Sequence, residues 1–290
     1  MYKKLFFSLF LVSCSFFATV LAQDQYSHLG FDSPVCVTQY GGFYYLSNAG
    51  KNFGLATEDG DGYISRIKSD GSQEEATFLY IPGLNNPRGI YAAQGILYVC
   101  DINRLLGYDL KTLKKVFELS FEKENVTQLT SIASADDKTL YLSATDINVI
   151  FELNLSSKKY TKWTETISPT GMLINNGLMY VCSMGTDSLP NGKLGVIDMK
   201  TKKYNQLTDD EGFFYGLALN GKRLYYSDWV QFAKRGAIKW IDLDTKNNGQ
   251  VMFTSRIGGP ADFIFDARND LFLIPAVLEG CVFGCFGFTK

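Results

Sequence analysis

The side chains of this chain that are best suited to chemistry are oxygen donors placed directly after short aromatic strands. Asn48, Asp101 and Asp228 each end a phrase of apolar, aromatic, apolar and small residues, as in Leu97–Asp101. Carboxylate and amide oxygens are the ligands that a hard cation such as Ca²⁺ prefers. The alternative for each carboxylate is a structural role, because Asp and Asn after a strand commonly hydrogen-bond to the backbone of a turn.

The phrase recurs six times, and its spacing predicts the elements that position these residues. Successive aromatic positions lie 39 to 53 residues apart. These positions are Tyr45, Tyr98, Tyr141, Tyr180, Tyr225 and Phe272. A period of about 45 residues, rich in short strands and turn signals, is typical of a β-propeller blade. Four strands per unit and six units predict a six-bladed β-propeller.

The last unit is too short to hold a fourth strand, since only two residues follow Phe286–Phe288. We expect a segment near the N-terminus, around Gln25–His28, to supply that strand and so remove the open sheet edges. The predicted fold class is therefore all-β. It is a single six-bladed β-propeller over residues 23–290, closed by an N-terminal strand that completes the last blade.

Residues 1–22 have the pattern of a signal peptide. Lys3 and Lys4 precede an apolar stretch that runs to Leu21, and Ala22 offers a small residue for cleavage at the next bond. The sequence therefore predicts an exported protein, periplasmic or secreted, with no membrane span in its mature form.

Two alternatives to simple cleavage stand beside this prediction. Leu11–Cys14 resembles a bacterial lipobox, which would make Cys14 the lipid-anchored N-terminus of a lipoprotein. The apolar run of roughly 18 residues could also remain as an uncleaved anchor. No other segment is long and apolar enough to be expected to cross a membrane.

The charge balance and the counts of two residue types limit the function classes. A formal net charge of −2 gives no basic field for nucleic acid. The single histidine, His28, excludes mechanisms that need channel histidines, and it leaves a Ser or Cys nucleophile without its usual imidazole base. Among the cysteines, Cys281 and Cys285 could form a disulfide with each other or with Cys36.

These repeats resemble the superfamily of six-bladed propellers that contains NHL-repeat, YWTD and gluconolactonase-like (senescence-marker-type) proteins. Pro87–Ile90 followed by Leu97–Arg104 is similar to an NHL blade. Leu224–Asp228 is similar to the strand that names YWTD proteins. Asp61–Ile67 followed by Asp70–Ser72 is similar to a hairpin of gluconolactonase-like sequences. The resemblance covers most of the chain after residue 22 and implies the propeller fold.

The gluconolactonase-like resemblance also implies an activity. Proteins of that family bind a divalent metal that polarises a lactone carbonyl and activates water. Asp32 stands where the family has its first acidic ligand, and Asp262 is a second candidate ligand, with Ca²⁺ as the cation. Asp262 stands one residue late relative to the family pattern, so strand alternation predicts that its side chain turns to the opposite face.

Propeller geometry predicts where a ligand binds. The loop that enters the first strand of a blade and the loop that leaves the second strand lie on one face, around the central channel. The predicted rim residues on that face are Asp32, Asn48, Arg88, Asp101, Asn103, Asp146, Asp187, Tyr215, Asp228 and Trp229. Most of them carry side-chain oxygens, so the sequence predicts an acidic rim, in which Arg88 is either an ion-pair partner or a substrate clamp.

The sequence therefore predicts an exported propeller that binds a small-molecule or protein ligand at its acidic channel rim, without robust catalysis. The alternative is a divalent-metal-dependent sugar-lactone hydrolase that uses Asp32 and Asp262. A third interpretation is a structural interaction module whose channel is filled by side chains. An exposed aromatic cluster that includes Trp229 and Phe232 would indicate a protein partner.

Overall fold

The computed structural model describes residues 18–21, 23–53, 58–68, 77–230, 235–253 and 255–286. Over these residues the chain forms 25 β-strands in six sheets. Two single-turn 3₁₀-helices, Glu122–Glu124 and Val277–Glu279, lie in connecting loops. None of the helices in this described part is long and apolar enough to cross a membrane.

Within each blade the strands that are consecutive in the chain are neighbours in space and pair antiparallel, while the two N-terminal strands join blades 5 and 6. The N-terminal strands are β1 (Ala18–Leu21) and β2 (Gln23–Leu29). Blade 1 contains β3 (Pro34–Tyr40), β4 (Phe43–Asn48), β5 (Gly62–Lys68) and β6 (Thr77–Leu84). Blade 2 contains β7 (Pro87–Ala93), β8 (Ile96–Asp101), β9 (Arg104–Asp109) and β10 (Lys115–Ser120). Blade 3 contains β11 (Leu129–Ser134), β12 (Thr139–Ala144), β13 (Val149–Asn154) and β14 (Lys159–Glu165).

The second half of the ring repeats this plan. Blade 4 contains β15 (Pro169–Asn175), β16 (Leu178–Ser183), β17 (Leu194–Asp198) and β18 (Tyr204–Gln206). Blade 5 contains β19 (Phe214–Asn220), β20 (Arg223–Asp228), β21 (Ala237–Asp242) and β22 (Asn248–Met252). Blade 6 contains β23 (Ile264–Asp266), β24 (Leu271–Ala276), β25 (Cys281–Phe286) and β2. The first strands contact one another in order from β3 of blade 1 to β23 of blade 6, and β3 also contacts β24 of blade 6, so the first strands surround the central channel.

Ring closure confirms the prediction that an N-terminal strand completes the last blade. Strand β2 pairs antiparallel with β25, with Ser27 opposite Phe283 and Leu29 opposite Cys281. Blade 6 therefore contains strands from both ends of the described chain. An isolated bridge between Cys36 and Asp262 joins blades 6 and 1 beside the channel.

Strand β1 lies inside the segment predicted to be a signal peptide. It pairs parallel with β22, from Ala18 opposite Gly249 to Leu21 opposite Met252, and adds a fifth strand to blade 5. Cleavage after residue 22 stays a prediction, and it would remove β1 while leaving a four-stranded blade 5. Cys14, the predicted lipidation site, lies outside the described residues.

Packing between blades explains why the repeated phrase is apolar on both faces of its strand. In β16, Met179 and Val181 pack against the cluster shared with blade 3. Tyr180 and Cys182 alternate with them and pack against the cluster shared with blade 5. A second strand therefore has no solvent-facing side, and its sequence reads as a continuous apolar run.

The small fourth residue of the phrase links neighbouring blades. The Ser143 hydroxyl accepts a hydrogen bond from the backbone N–H of Ser131 in its own blade (2.9 Å). The same hydroxyl donates to the carbonyl of Thr170 in the next blade (2.8 Å). Ser47 and Ser227 make the same pair of bonds. Each hydroxyl thus satisfies two buried backbone groups beside the channel.

The five cysteines in the described part of the chain are all free thiols and all buried. The pairing of Cys281 with Cys285, one of the possibilities that the sequence left open, is not formed, because both residues lie in β25, four positions apart. An extended strand separates such positions by about 13 Å, whereas a disulfide needs Cα atoms within about 7 Å. Cys36 is also free. The cysteines act as small buried apolar residues.

Candidate functional site

Three of the predicted rim residues come together across the channel. Arg88 of blade 2 reaches Tyr215 of blade 5, and its Nη1 donates a hydrogen bond to the Tyr215 hydroxyl (3.2 Å). These two blades are opposite in a ring of six, so the bond spans the channel. Trp229 directly follows β20 and stacks on Tyr215 with ring centroids 5.8 Å apart.

A fourth residue, Phe53, completes this group. Its ring stacks on Trp229 with centroids 5.4 Å apart, and the Arg88 Cζ atom lies 4.8 Å from its centroid. A guanidinium over an aromatic face is a favourable cation–π geometry. We call Phe53, Arg88, Tyr215 and Trp229 the channel-mouth cluster. Phe53 was not predicted, although it lies in the loop that leaves β4, on the face where the rim was expected.

Backbone bulges bring these side chains into the channel. The pairing of β7 with β8 shifts register between Pro87 and Ile90, and that of β19 with β20 shifts between Phe214 and Leu217. The first strands of blades 1, 3 and 4 shift at the same place. A bulge inserts an extra residue and changes the direction of the side chains around it. Arg88 and Tyr215 lie within these bulged segments.

Arg88 is a buried cation held by neutral groups. It is 7% exposed, and its Nε donates to Asn86 Oδ1 at 3.1 Å. Among the residues that the structure describes, Arg88 forms no ion pair. Burial raises the pKa of Tyr215, and the nearby Arg88 opposes that rise. The Tyr215 phenol is therefore neutral at physiological pH and donates or accepts as a hydroxyl group.

A second group of polar atoms in the channel surrounds Asp262. Its Oδ2 accepts hydrogen bonds from the hydroxyl of Ser131 (3.1 Å), on the opposite blade, and from the thiol of Cys36 (3.7 Å). Burial raises the pKa of Asp262 to about 6, against the lowering effect of these donors. Burial, with a further contribution from Asp262, also raises the pKa of the Cys36 thiol. This thiol is consequently protonated and unsuited to nucleophilic attack.

The prediction that Asp262 turns to the opposite face was wrong. Its side chain points into the channel, where it contacts Ser131 and Cys36. Asp262 precedes β23, so the alternation of a regular paired strand does not apply to it. Asp32 lies elsewhere: it is exposed, and its backbone N–H donates to the hydroxyl of Tyr63 at 3.0 Å. No hydrogen bond joins Asp32 to Asp262, and the described residues contain no group of three or more His, Cys, Asp or Glu side chains that could hold a metal. The metal site stays a prediction.

The buried rim carboxylates hold loops in place. Asp101 Oδ1 accepts the backbone N–H groups of Asn85 (3.0 Å) and Asn86 (2.8 Å), and its Oδ2 pairs with Arg104 at 2.8 Å. By fixing Asn86, Asp101 also fixes the acceptor that holds the Arg88 side chain. Asp101 therefore has the structural role that the sequence offered as the alternative to a ligand role: it hydrogen-bonds to the backbone of a loop.

Asp228 and Asp146 have the same kind of role. Asp228 Oδ1 accepts the N–H groups of Phe213 (3.2 Å) and Val230 (3.0 Å), and its Oδ2 forms an ion pair with Lys239 (2.9 Å). Asp146 Oδ2 accepts both the backbone N–H and the hydroxyl of Thr127. These contacts neutralise or occupy the oxygens that the sequence assigned to an acidic rim.

The remaining rim residues are separate from the channel-mouth cluster. Asn48 is fully buried, and its Nδ2 donates to Ser65 Oγ at 3.0 Å. Asn103 lines a cleft of about 270 Å³ between blades 1 and 2. Asp187 is exposed in the loop after β16, with a left-handed φ of 55°. The structure thus groups three of the ten predicted rim residues and distributes the others.

A larger cleft lies between blades 3 and 4. Its volume is about 520 Å³, within the range of small-molecule sites. Tyr204 and Val181 form part of its apolar wall, and Glu165 and Lys193 are among its charged residues. Lys193 already forms an ion pair with Glu211. This cleft is distinct from the channel-mouth cluster.

Six four-stranded antiparallel blades around a channel define the class of protein as a β-propeller. No protein-family model matches the chain, and no curated protein sequence matches it. Solved structures do share its fold. A virginiamycin B lyase from Staphylococcus aureus is 13% identical with a TM-score of 0.61, and the match covers 91% of this chain and 99% of that one.

Two further solved structures support the same class. A chain of a nidogen/laminin complex is 13% identical with a TM-score of 0.57, over 74% of this chain and 86% of that one. A chain of the hydrazine synthase of Kuenenia stuttgartiensis is also 13% identical, with a TM-score of 0.59, over 85% of this chain and 74% of that one. Similarity at this identity establishes the propeller fold and selects no family.

Proposed function

We propose that the protein is an exported propeller that binds a small organic ligand at the channel-mouth cluster, without robust catalysis. The observation that carries the proposal is the convergence of Phe53, Arg88, Tyr215 and Trp229 from blades 1, 2 and 5. Stacked rings beside a cation and a hydroxyl combine apolar area with a few directed polar groups, which is the composition of small-molecule sites. This cluster replaces the acidic rim as the proposed binding surface.

The burial of the rings favours a small ligand over a protein partner. Trp229 is 1% exposed, and Tyr215 is also 1% exposed. Protein-binding surfaces present aromatic side chains to solvent, where a partner can cover them. Phe232, the other aromatic residue considered for a partner surface, lies outside the described residues. One similar solved structure is a nidogen/laminin complex, so a protein partner is the second outcome to test.

The chemistry of the channel favours binding over catalysis. Cys36 is the thiol nearest to the channel carboxylate Asp262, and its raised pKa opposes thiolate formation. The sole histidine, His28, belongs to β2, the outermost strand of blade 6. A nucleophile paired with a general base is therefore not assembled from the described channel residues. One similar structure is a lyase, and a lyase assay belongs with the binding tests.

The proposal is tested with three probes that share one ring and differ in charge: phenylacetate, 2-phenylethylamine and 2-phenylethanol. Isothermal titration calorimetry of the purified protein should show at least one probe binding with 1:1 stoichiometry. Trp229→Leu should abolish that binding, because it removes the ring that stacks on both Phe53 and Tyr215. Trp163→Leu is the matched control, since Trp163 packs against Tyr141 in blade 3. Equal loss in both variants, or no binding of any probe, would contradict the proposal.

A further inference from the structure

The charge of Arg88 is not balanced by any acid that contacts it in the described structure. Arg88 as a residue is 7% exposed, and its guanidinium makes two hydrogen bonds, both to neutral groups, Asn86 and Tyr215. The channel carboxylate Asp262 accepts its bonds from Ser131 and Cys36 instead. Asp101, which fixes the Asn86 backbone, pairs with Arg104. Proteins rarely bury a charge without pairing it, because the loss of hydration costs several kcal/mol.

The guanidinium also has unused hydrogen-bonding capacity. Arginine carries five N–H donors, and the Nε bond and one Nη1 bond occupy two of them. The other three have no acceptor among the described residues. Phe53 covers one face of the guanidinium plane, so these donors point along the edge of the group. A fork of parallel N–H donors matches the two oxygens of a carboxylate.

Backbone strain lies directly beside this group. Val230 follows Trp229 and has a φ of 46°, in the left-handed region that a β-branched residue seldom adopts. Its N–H is held by Asp228 Oδ1 at 3.0 Å, and its side chain is 39% exposed. Such outliers persist where the surrounding structure enforces them, and they concentrate at ligand-binding positions.

We infer that the channel-mouth cluster binds an aromatic monocarboxylate, with the carboxylate on the free edge of Arg88 and the ring against Phe53, which is the partly exposed ring of the cluster. This inference rests on the proposed function, since it names the ligand class of the same site. Arg88 brings one positive charge to the cluster, and Asp262, which adds to the effect of burial in raising the pKa of Tyr215, brings negative charge nearby. A ligand with one negative charge therefore fits better than a phosphate dianion. The partly exposed ring of Phe53 supplies an apolar surface that favours an aromatic ligand.

The same three probes test this inference in the wild-type protein, without a variant. Phenylacetate should bind at least tenfold more tightly than 2-phenylethanol, because a charge-assisted pair is worth about 1.5–3 kcal/mol. 2-Phenylethylamine should bind more weakly still, since its ammonium group faces the Arg88 charge. Phenyl phosphate should bind more weakly than phenylacetate at pH 7.

Two arginine variants identify the residue responsible. Arg88→Gln should lower the affinity for phenylacetate at least tenfold and leave the affinity for 2-phenylethanol unchanged. Arg66→Gln is the matched control, because Arg66 also lies over an aromatic ring, with its Cζ atom 4.3 Å from the centroid of Phe43. This variant should bind phenylacetate with the affinity of the wild type. If Arg88→Gln fails to fold, the comparison of probes in the wild type decides alone.

The outcomes separate this inference from the proposed function. If 2-phenylethanol or 2-phenylethylamine binds as tightly as phenylacetate and Trp229→Leu abolishes that binding, the anion inference is wrong and the ligand site stands. Tighter binding of phenyl phosphate would replace the monocarboxylate with a phosphate ester. If no probe binds, the cluster is a structural plug that fills the channel, and both proposals are overturned.

Discussion

At the scale of single residues, the channel contains a cation, Arg88, and an acid, Asp262, that have different neighbours. Arg88 keeps its charge against an aromatic ring and two neutral acceptors. Asp262 lies among protonated donors, the Ser131 hydroxyl and the Cys36 thiol, and burial raises its pKa to about 6. Both charges act on Tyr215: burial raises its pKa, Arg88 opposes that rise, and Asp262 adds to it.

Asp262 should make the protein less stable as the pH rises. Its pKa in the folded protein, about 6, lies above the value of about 3.9 expected in the unfolded chain, so the native state binds more protons between these values. Stability from this group is therefore complete below about pH 4 and is lost as the pH rises through 6. Asp262→Asn keeps an oxygen acceptor without the charge, and it should remove this component of the pH dependence.

The measurement is the melting temperature of the wild type and of Asp262→Asn between pH 4 and pH 8. The melting temperature of Asp262→Asn, relative to that of the wild type, should increase as the pH rises. Asp187→Asn is the control, because Asp187 is exposed in a loop. Parallel curves for the wild type and Asp262→Asn would show that this carboxyl group does not titrate in the expected range.

The serine link between blades predicts a specific loss of stability. Ser143→Ala leaves the N–H of Ser131 and the carbonyl of Thr170 without their shared partner. Unsatisfied buried groups cost about 1–3 kcal/mol each, so the two groups together should lower the free energy of unfolding by about 2–6 kcal/mol. Ser143→Cys should cost less, because Cys182 occupies the corresponding position in blade 4 and its thiol donates to the carbonyl of Gly171.

Urea unfolding followed by circular dichroism measures these differences. The control is Ser156→Ala, because the Ser156 hydroxyl donates a hydrogen bond to Asn154 in an exposed turn. This variant should change the free energy of unfolding by less than about 0.5 kcal/mol. If Ser143→Ala unfolds at the same urea concentration as the control, the hydroxyl does not link the blades energetically.

The sequence could predict the position of a residue on the rim only where the order of the strands in a blade determines it. Arg88, Tyr215 and Trp229 were placed on the rim because loops at that end of each blade must meet around the channel. Phe53 was missed, since the long loop between β4 and β5 gives no periodic signal for which side chain turns inward. The structural role of Asp101 was visible as an alternative, but its partners depend on the next loop and are not encoded locally.

At the scale of elements, the sequence predicted strands well and their irregularities poorly. Alternation of apolar and aromatic residues marks each second strand, because packing against both neighbours demands it. The bulges of the first strands have no such pattern, because a bulge depends on pairing with the adjacent strand and on the serine hydroxyl that fills it. The expected direction of the Asp262 side chain was wrong because Asp262 precedes β23 and is not part of a regular strand.

Strand β2 should be necessary for a stable monomer. Removing residues 1–29 exposes the edge of β25 and leaves blade 6 with three strands, whereas removing residues 1–22 removes only β1 and leaves every blade with four. Exposed edges pair with other chains, so we expect the longer deletion to aggregate or to melt at a lower temperature. The shorter deletion is its matched control.

Size-exclusion chromatography and thermal melting of the two deletions make this comparison. The shorter deletion should elute as a monomer and unfold in one transition. If the longer deletion elutes and melts in the same way, blade 6 is stable with three strands and closure by β2 is dispensable.

At the scale of the whole molecule, metal addition distinguishes the binding proposal from the lactone-hydrolase alternative. A metal that binds only the folded protein adds about 2.7 kcal/mol at 100 times its dissociation constant. Since Asp32 and Asp262 share no contact in the described structure, we expect the melting temperature to be the same in EDTA and in Ca²⁺, Mg²⁺, Mn²⁺ or Zn²⁺. A saturable shift with one metal, abolished by Asp32→Ala, would favour the hydrolase and call for assays with sugar lactones.

Closure of the ring by β2 sets the order in which the molecule can be finished. The ribosome makes Gln23–Leu29 about 250 residues before the partner of that strand, Cys281–Phe286. At 5–20 residues per second β2 waits roughly 10–50 seconds for its partner. The ring therefore closes only after β25 has been synthesised, whereas the four consecutive strands of blades 1 to 5 are available for pairing earlier.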